Sequence, residues 1–353
     1  MTRLVISLCV CFGLPLPLMA WNGEGHMLVA QIAYNHLKPA AKAKCDALIA
    51  VAVGYSSNAN SNFVTAACWA DDIKSFTSAY SIWHYIDLPF SLDGTATNGV
   101  GSNSFDVVRA IRQNIATLQD QNSTSLTQAT SLRFLLHFVG DIQQPLHCST
   151  CASAAYTTGD AGGNSFRISG TWNNLHSLWD SGGGYLTDSA SRPLSAASQM
   201  TLSNKVALIE ADYPYTANSG TIADPMDWAN EGFGLARTIS YAGITQNTAP
   251  SAGYLNTAQA TTEQRMALGG HRLADLLNAL FAPDPVRLVF LARTNENLGF
   301  SWSAVSGATY RVQWKQQLDE PAWHDLTSIT ASASSVSVTD MPTQSHRFYR
   351  VVQ

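Results

Sequence analysis

Apolar residues recur at helical spacing through the first two thirds of the chain. In residues 24–37, Leu28, Ile32 and Ala33 recur with this spacing and Pro39 follows, which predicts a helix that stops before the proline. Four later segments have the same pattern: residues 105–120, 130–141, 227–241 and 262–281. The stretches between them are rich in Ser, Asn and Gly, which favours loops over strands. The pattern therefore predicts an all-helical domain.

The pattern changes at the linker of residues 282–285, Ala-Pro-Asp-Pro, where two prolines break any helix. Short alternating or β-branched runs follow, separated by Gly, Asn, Asp and Pro: residues 286–291, 298–302, 309–315, 334–339 and 347–352. Such runs are typical of a small β-sandwich, similar to a fibronectin type III module. The predicted fold class is mainly α, with a helical domain at 21–281 and a β-sandwich module at 286–353.

The first 20 residues have the features of a signal peptide. Arg3 precedes an apolar run that ends Leu18-Met19-Ala20, which predicts cleavage before Trp21. The alternative is an uncleaved membrane anchor, but the apolar run is shorter than the roughly 20 residues that a spanning helix needs. We therefore expect a mature protein that is secreted or periplasmic.

The charge of the chain limits the ways in which it could handle a polyanion. Only 13% of the 353 residues are charged and the formal net charge is -5, so the chain lacks the broad basic face by which most duplex-binding proteins neutralise phosphates. A phosphate-handling protein of this composition needs positive charge from another source. Bound divalent metal is the obvious one.

The predicted export determines which state we expect for the cysteines. Of the six, Cys9 and Cys11 belong to the signal peptide. The four that remain lie in the helical region: Cys45, Cys68, Cys148 and Cys151. In an oxidising compartment an even number predicts one or two disulfide bonds. The Cys148-x-x-Cys151 pair also resembles a redox motif or half of a zinc knuckle, but no second such pair follows, which favours a local disulfide.

Two histidine–aspartate pairs have a spacing that suits metal binding. His137 precedes Asp141 by four residues, and His176 precedes Asp180 by four. On a helix this separation places both side chains on one face, one turn apart. Each pair could therefore hold one metal ion, although the same spacing also occurs in plain surface contacts.

Further candidate ligands lie near these pairs. Pro145 ends the helix after Asp141 and turns the chain so that His147 can fold back. Upstream, Asp71 and His84 stand beside large aromatic residues. Buried ionisable groups are costly without partners, and metal ions would satisfy them. Each residue alone is more often a capping or surface residue, but together they predict a metal cluster.

The remaining histidines were not included in this cluster. His36 is predicted to be a surface residue. Three others are also left out of the predicted cluster: His271, His324 and His346.

Taken in order, the motifs resemble those of the zinc-dependent single-strand nucleases of the S1/P1 type. The match extends from Trp21 through the segment Ala267–Asn278. The matching motifs are Trp21-Asn-Gly-Glu-Gly-His26, Trp69-Ala-Asp71, His84-Tyr-Ile-Asp87, Leu132-Arg-Phe-Leu-Leu-His-Phe-Val-Gly-Asp141, Gln144-Pro-Leu-His147, Gly162-Gly-Asn164 and Asn174-Leu-His-Ser-Leu-Trp-Asp180.

This resemblance implies a site with three zinc ions and nine protein ligands. The first zinc would bind Asp71, His84, His137 and Asp141. The second would bind His147, His176 and Asp180. The third would bind the amine and carbonyl of Trp21, together with His26 and a bridging Asp141. The Trp21 amine exists only after signal cleavage and must lose its proton to bind metal.

The resemblance also implies the reaction. Zinc lowers the pKa of bound water from about 15.7 towards 7, so a zinc-bound hydroxide attacks phosphorus. The implied substrates are single-stranded RNA and DNA, cut to 5′-phosphorylated products, and 3′-nucleotides. Asp71 and Lys74 are the implied catalytic residues. Relatives carry arginine at the position of Lys74, so the planar fork is lost here while the charge is kept.

Three residues match substrate-binding positions of the family. Tyr85 matches the aromatic residue on which a base stacks, although core packing is the alternative role for such a ring. Asp87 matches the residue that hydrogen-bonds the base edge, and Asn164 matches the end of a glycine loop. Stacking needs an unpaired base, which explains a preference for single strands.

Two other functions remain open from the sequence. A zinc phospholipase C shares this helical fold and an N-terminal Trp ligand but cleaves a lipid phosphodiester. An inactive zinc-binding adhesion protein is compatible with the β module. The Tyr85, Asp87 and Gly162–Asn164 matches favour nucleic acid. The sequence predicts neither the partner of the β module nor the oligomeric state.

Overall fold

The structure is a computed structural model that describes residues 21–101, 104–187, 191–216, 224–282, 288–294, 297–342 and 346–352. The predicted signal peptide, residues 1–20, and residues 283–285 of the predicted linker lie outside the described residues. The chain divides into two compact units: one contains Lys42–Leu280 and the segment before Pro39, and the other contains the chain from Phe281. Across the described parts, no helix is both long and apolar enough to cross a membrane.

Helices dominate the first unit. They are α1 (Gly23–Asn35), α2 (Pro39–Ile49), α3 (Phe63–Ala66), α4 (Trp69–Asp72), α5 (Val107–Gln119), α6 (Ser125–Asp141), α7 (Leu175–Asp180), α8 (Ala196–Asp212), α9 (Pro225–Leu235) and α10 (Ala252–Leu280). A π turn at Ala236–Ser240 continues α9. The mainly helical class is confirmed, and each of the five predicted helices overlaps an observed one.

The sequence pattern missed α2 and α8 for different reasons. Pro39 was interpreted as a stop, but it is the first residue of α2, where proline costs no intrahelical hydrogen bond. In α8 only Leu202, Val206 and Ile209 are buried, while Leu208 is exposed, so the apolar stripe is narrow and its period is blurred.

Close packing between α1 and α10 forms part of the core. A Cβ at Gly270 in α10 would lie 2.4 Å from Ile32 Cγ2 in α1, so only glycine permits this approach. The helix α6 is buried along most of its length, including Arg133, His137 and Asp141. Polar side chains of α6 are therefore held inside the protein, where each needs a partner.

A short parallel sheet corrects the prediction of an all-helical domain. Strand β1 (Pro89–Ser91) pairs with β2 (Thr150–Ala152), and Phe90 lies opposite Cys151. Each strand has only three residues, too few to show a period-two pattern in the sequence.

The predicted disulfide bonds are wrong for this structure, because all four cysteines of the described chain are free and buried. Cys148 ends a 3₁₀ turn, Pro145–Cys148, and its thiol donates to the Ile142 carbonyl at 3.3 Å. Cys151 lies in β2 and packs in the apolar cluster that contains Phe90. The two cysteines thus belong to different elements with different neighbours.

The second unit is made of strands. Its described residues form β3 (Val289–Thr294), β4 (Asn297–Ser303), β5 (Thr309–Lys315), β6 (His324–Thr330), β7 (Ser335–Asp340) and β8 (Phe348–Val352). Two antiparallel three-stranded sheets have the orders β3-β4-β7 and β6-β5-β8. Trp302 of β4 and Tyr310 of β5 share one buried cluster, so side chains of both sheets meet.

Within the second unit, the sequence predicted every described strand except β6. This strand lies at a sheet edge and is mostly exposed, so it lacks the apolar alternation of a buried strand. The predicted strand region is confirmed, while the likeness to a fibronectin type III module stays a prediction.

Candidate metal centre

The last turn of α6 brings two ligand-type residues into a buried cluster. His137 and Asp141 are completely buried and share one face of the helix. Asp141 Oδ2 lies 3.2 Å from His137 Nε2 and 2.9 Å from His84 Nδ1. Asp71 Oδ1 lies 3.5 Å from His137 Nε2 and 3.8 Å from His84 Nδ1. Two carboxylates and two imidazoles from distant segments therefore lie close enough together to be ligands of one metal ion.

A second cluster forms around α7. Asn174 caps this helix by accepting a hydrogen bond from the Ser177 amide at 2.7 Å. The helix then presents His176 and Asp180 on one side, with His176 Nε2 3.5 Å from Asp180 Oδ2. His147 Nε2 lies 4.0 Å from Asp180 Oδ1, and ligand atoms of all three residues lie within 4.8 Å of one another.

The start of α1 lies beside the first cluster. His26 stacks on His137 with ring centroids 3.8 Å apart, and its Nε2 lies 3.4 Å from Asp141 Oδ1. Gly140 allows this crossing, because a Cβ there would lie 3.0 Å from His26 Nδ1. The buried Trp21 indole donates to the Gly140 carbonyl at 3.0 Å. Trp21 and His26 are thus both held next to Asp141.

Backbone carbonyls fix the orientation of three of the imidazoles. His137 Nδ1 donates to the Ala67 carbonyl at 2.7 Å and His147 Nδ1 to the His84 carbonyl at 2.8 Å. His176 Nδ1 donates to the Gly162 carbonyl at 2.7 Å. A ring that donates from Nδ1 directs its Nε2 towards the carboxylates, where the neutral ring can offer a lone pair to a metal ion. This is the arrangement of a metal-ligating histidine.

The charges within the first cluster are strongly coupled. Burial lowers the pKa of His137, but Asp141 and Asp71 outweigh it and raise that pKa to about 10. Burial and the neighbouring His137 lower the pKa of His26 to about 3. Burial raises the pKa of Asp71, yet His137 and Lys74 bring it well below its usual value. The cluster therefore requires positive charge next to its carboxylates.

In the second cluster the carboxyl pKa is shifted in the opposite direction, upwards. Burial first, and then the charges of Asp71 and Asp141, raise the pKa of Asp180 well above its usual value. The Gln144 amide, which donates to Asp180 Oδ1 at 2.8 Å, opposes this shift without reversing it. A cation bound beside Asp180 would restore the carboxylate.

Several buried polar atoms of the site have no hydrogen-bond partner among the described residues: both ring nitrogens of His26, His84 Nε2, His147 Nε2 and Asp141 Oδ1. Leaving such atoms unsatisfied costs roughly 1–3 kcal/mol each. Imidazole nitrogens and carboxylate oxygens are ligands that zinc prefers, so a divalent cation fits the donor set. All the histidines and aspartates predicted as ligands lie in these two clusters or against them.

A small cleft opens beside the second cluster. It is lined by Tyr85, Asp87, Leu146, His147, Ala161, Gly162 and His176. Burial and then the charge of Asp160 raise the pKa of Asp87 to about 6. The cleft thus combines an aromatic face, a carboxyl group and two ligand-type imidazoles.

The glycine loop contributes differently from the prediction. The Asn164 side chain donates to the Ala161 carbonyl at 2.9 Å within the loop and is not among the cleft-lining residues. Gly162 lines the cleft and supplies the carbonyl that orients His176. Its φ is +60°, and a Cβ there would lie 2.4 Å from the Leu146 carbonyl oxygen, so glycine is required.

Two positioning groups were not predicted from the sequence, the Gly162 carbonyl and the Gln144 amide. Both residues lie in the quoted motifs, next to predicted ligands, which was the available signal. Their roles depend on a backbone acceptor and a side-chain direction, which residue types alone do not specify.

Comparison with known proteins agrees with this geometry. The family model for S1/P1 Nuclease matches residues 21–282. Nuclease P1 of Penicillium citrinum is 28% identical over 280 residues, which cover 74% of this chain and 97% of that protein. Endonuclease 2 of Arabidopsis thaliana is 29% identical over 300 residues, 79% of this chain and 96% of that protein. Nuclease S1 of Aspergillus oryzae is 26% identical over 287 residues, 75% and 93% respectively. The chain therefore belongs to the S1/P1 nuclease family and is a hydrolase that acts on phosphodiester bonds.

Proposed function

We propose that the protein is an exported, zinc-dependent endonuclease that cuts single-stranded RNA and DNA to 5′-phosphorylated products and also removes 3′-phosphates from nucleotides. The observation that carries this proposal is the convergence of buried imidazoles and carboxylates, several of whose nitrogen and oxygen atoms have no hydrogen-bond partner among the described residues.

The proposed ligands divide among three zinc ions as the resemblance implies. The first ion takes Asp71, His84, His137 and Asp141, the second His147, His176 and Asp180, and the third Trp21, His26 and Asp141. When bound, zinc supplies Lewis-acid charge to the phosphate and lowers the pKa of coordinated water. The protein side chains hold that charge in a buried setting, where it acts strongly.

Lys74 is the proposed protein cation at the scissile phosphate. Its Nζ lies 2.7 Å from Asp71 Oδ1, and its side chain is only 10% exposed. An ammonium held in this way stands beside the first cluster and adds to the charge that faces a substrate phosphate. Asp71 then serves both as a ligand and as the group that positions Lys74.

The cleft beside the second cluster is the proposed base site. Tyr85 offers a ring on which a base can stack, and Asp87 a carboxyl group for the base edge. A stacked base must leave its partner strand, which accounts for a preference for single strands. A direct role for Asn164 in substrate binding stays a prediction, because its amide is engaged within the loop.

Export is part of the same proposal. Cleavage between Ala20 and Trp21 creates the amine that serves as a ligand, and the burial of Trp21 beside Asp141 is consistent with that role. The C-terminal strand unit is proposed to be a fibronectin type III-like spacer or adhesion module, since its described residues offer no cluster of His, Cys, Asp and Glu that could hold a metal.

The test uses the purified mature chain with four substrates: single-stranded RNA, single-stranded DNA, duplex DNA and phosphatidylcholine vesicles. We expect rapid cleavage of both single strands, 5′-phosphate ends, loss of activity on chelation and recovery with zinc. Asp141→Asn should lose nearly all activity, while Asp212→Asn, an exposed change of equal charge, should not. Turnover of lipid alone would identify a phospholipase C, and bound zinc without any turnover would identify a binding protein.

A further inference from the structure

A third group of ligand-type side chains lies outside the candidate metal centre. It is formed by His36 at the end of α1, Glu210 in α8 and His271 in α10. Their ligand atoms all lie within 4.8 Å of one another. His36 and His26 are ten residues apart along α1, so roughly 15 Å of helix separates this group from the first cluster.

The fold overturns what the sequence indicated for these histidines. His36 was interpreted as a surface residue, but its side chain is only 25% exposed and its Nε2 contacts Glu210 Oε1. His271 was left out of the predicted metal cluster, yet the packing of α8 against α10 brings Glu210 to it. Helix packing thus joins residues that the sequence keeps far apart.

Neighbouring side chains hold the group in place. Asn35 Nδ2 donates to Glu210 Oε2 at 3.3 Å, which fixes the second carboxylate oxygen. Tyr215 stacks on the His36 ring at 4.1 Å and meets the His271 ring edge-on at 5.2 Å. Tyr215 is itself held by donating to Asp275 Oδ1 at 2.6 Å. Both imidazoles are therefore restrained before any ligand binds.

A simple ion pair does not account for the whole group. The contact of His36 with Glu210 satisfies those two residues, but His271 Nε2 is buried without a hydrogen-bond partner among the described residues. The orphaned nitrogen is what a metal ion would satisfy.

We propose that His36, Glu210 and His271 form a separate binding site for a divalent transition-metal cation, Zn²⁺ being the best match. Two imidazoles and one carboxylate are a known three-ligand set for tetrahedral zinc, with water in the fourth position. The partial exposure of Glu210, 21%, leaves room for that water. The ion would link α1, α8 and α10, so its role is to stabilise the helical unit rather than to act on substrate.

The test counts zinc in the full mature chain after demetallation, reloading and exhaustive dialysis. Glu210→Gln keeps the shape of the residue but removes its charge, and His271→Asn removes a ligand. Asp212→Asn is the matched control, since it makes the same charge change at an exposed position of the same helix. We expect Glu210→Gln and His271→Asn to hold one zinc fewer per chain than wild type and the control, with hydrolysis of single-stranded DNA unchanged.

Equal zinc counts in all four proteins would overturn the site and leave an ordinary ion pair. If a variant fails to fold, anomalous diffraction at the zinc edge from wild-type crystals shows whether zinc occupies the proposed site. A peak about 2.0–2.1 Å from the ring nitrogens of His36 and His271 would support the site, and the absence of any peak there would refute it. Either result is independent of the nuclease activity, which depends on other residues.

Discussion

The ammonium of Lys74 lies 2.7 Å from Asp71 Oδ1, and that same oxygen lies 3.5 Å from His137 Nε2. One carboxylate oxygen therefore faces both the only charged side chain proposed to contact the phosphate and an imidazole of the first cluster. The Lys74 ammonium can therefore act on a substrate phosphate while it stays bound to a carboxylate of the metal centre.

Lys74→Ala should lower kcat/KM for single-stranded DNA by roughly 10²-fold, because it removes one preorganised positive group from the transition state. Lys74→Arg should keep the activity at or above the wild-type level, since it keeps the charge and adds a planar fork that can bind phosphate in a bidentate way. Steady-state kinetics and zinc content are measured together. If Lys74→Ala retains full activity with its zinc in place, Lys74 has no role at the phosphate.

Gln144 positions Asp180 in the second cluster. Its amide donates to Asp180 Oδ1 at 2.8 Å, while its carbonyl accepts from the Leu146 amide at 2.6 Å. Gln144→Ala should weaken binding of the zinc proposed for the second cluster by about 10–100-fold, because the variant loses the group that orients the ligand Asp180. Chelator competition measures this change, with the exposed Gln113→Ala as control. Equal zinc affinity in the two variants would contradict the positioning role.

The ligand residues were predictable because they occur in short motifs with helical spacing. His137 with Asp141 and His176 with Asp180 are each separated by four residues, and the structure places each pair on one helical face. The carbonyls of Ala67 and Gly162 were not predictable in this way, since any residue supplies a backbone acceptor. Which carbonyl faces which imidazole is decided by tertiary packing.

The same limit applies to the elements of the fold. The pattern located α6 because its apolar residues are numerous, but it missed α2 because a proline can end one helix or begin the next. His36 and Glu210 come together only through the packing of α1 and α8. Local patterns therefore predict elements and short motifs, whereas contacts between distant segments require the structure.

The cysteines give a direct check on the fold. Because Cys148 and Cys151 belong to different elements, the mature protein should release four titratable thiols per chain after denaturation without reductant. Reductant should leave the melting temperature unchanged, whereas loss of a native disulfide typically costs 2–5 kcal/mol. A count of two thiols or none would show that the exported protein forms the bonds predicted from its sequence.

Asp87 should make the stability of the metal-free protein depend on pH. Its folded-state pKa, about 6, lies above the usual 3.8, because burial and Asp160 disfavour the carboxylate. Below pH 3.8 the group is neutral in both folded and unfolded states and has no effect. As the pH rises to 6 the destabilisation grows, and above 6 it is constant at about 3 kcal/mol.

Asp87→Asn should therefore stabilise the chelated protein at pH 8 and change its stability little at pH 3.5. Urea unfolding at a series of pH values measures the difference in free energy between the two proteins. Asp212→Asn, the same change of residue type at an exposed position, is the control. A constant difference across the whole range would mean that Asp87 does not titrate as its burial predicts.

The N-terminus offers the sharpest test of the third zinc. Trp21 is buried, its indole is anchored on Gly140, and His26 and Asp141 lie beside it. The α-amine of a chain that begins at Trp21 has a pKa of about 7.7–8.0, so zinc must displace its proton, and zinc uptake should improve as the pH rises through that range.

A peptide bond before Trp21 removes this amine as a metal ligand. Mature protein carrying a removable N-terminal extension should hold about one zinc fewer per chain and lose at least tenfold in activity, and protease removal of the extension should restore both. Equal zinc content and activity before and after removal would refute the role of the Trp21 amine.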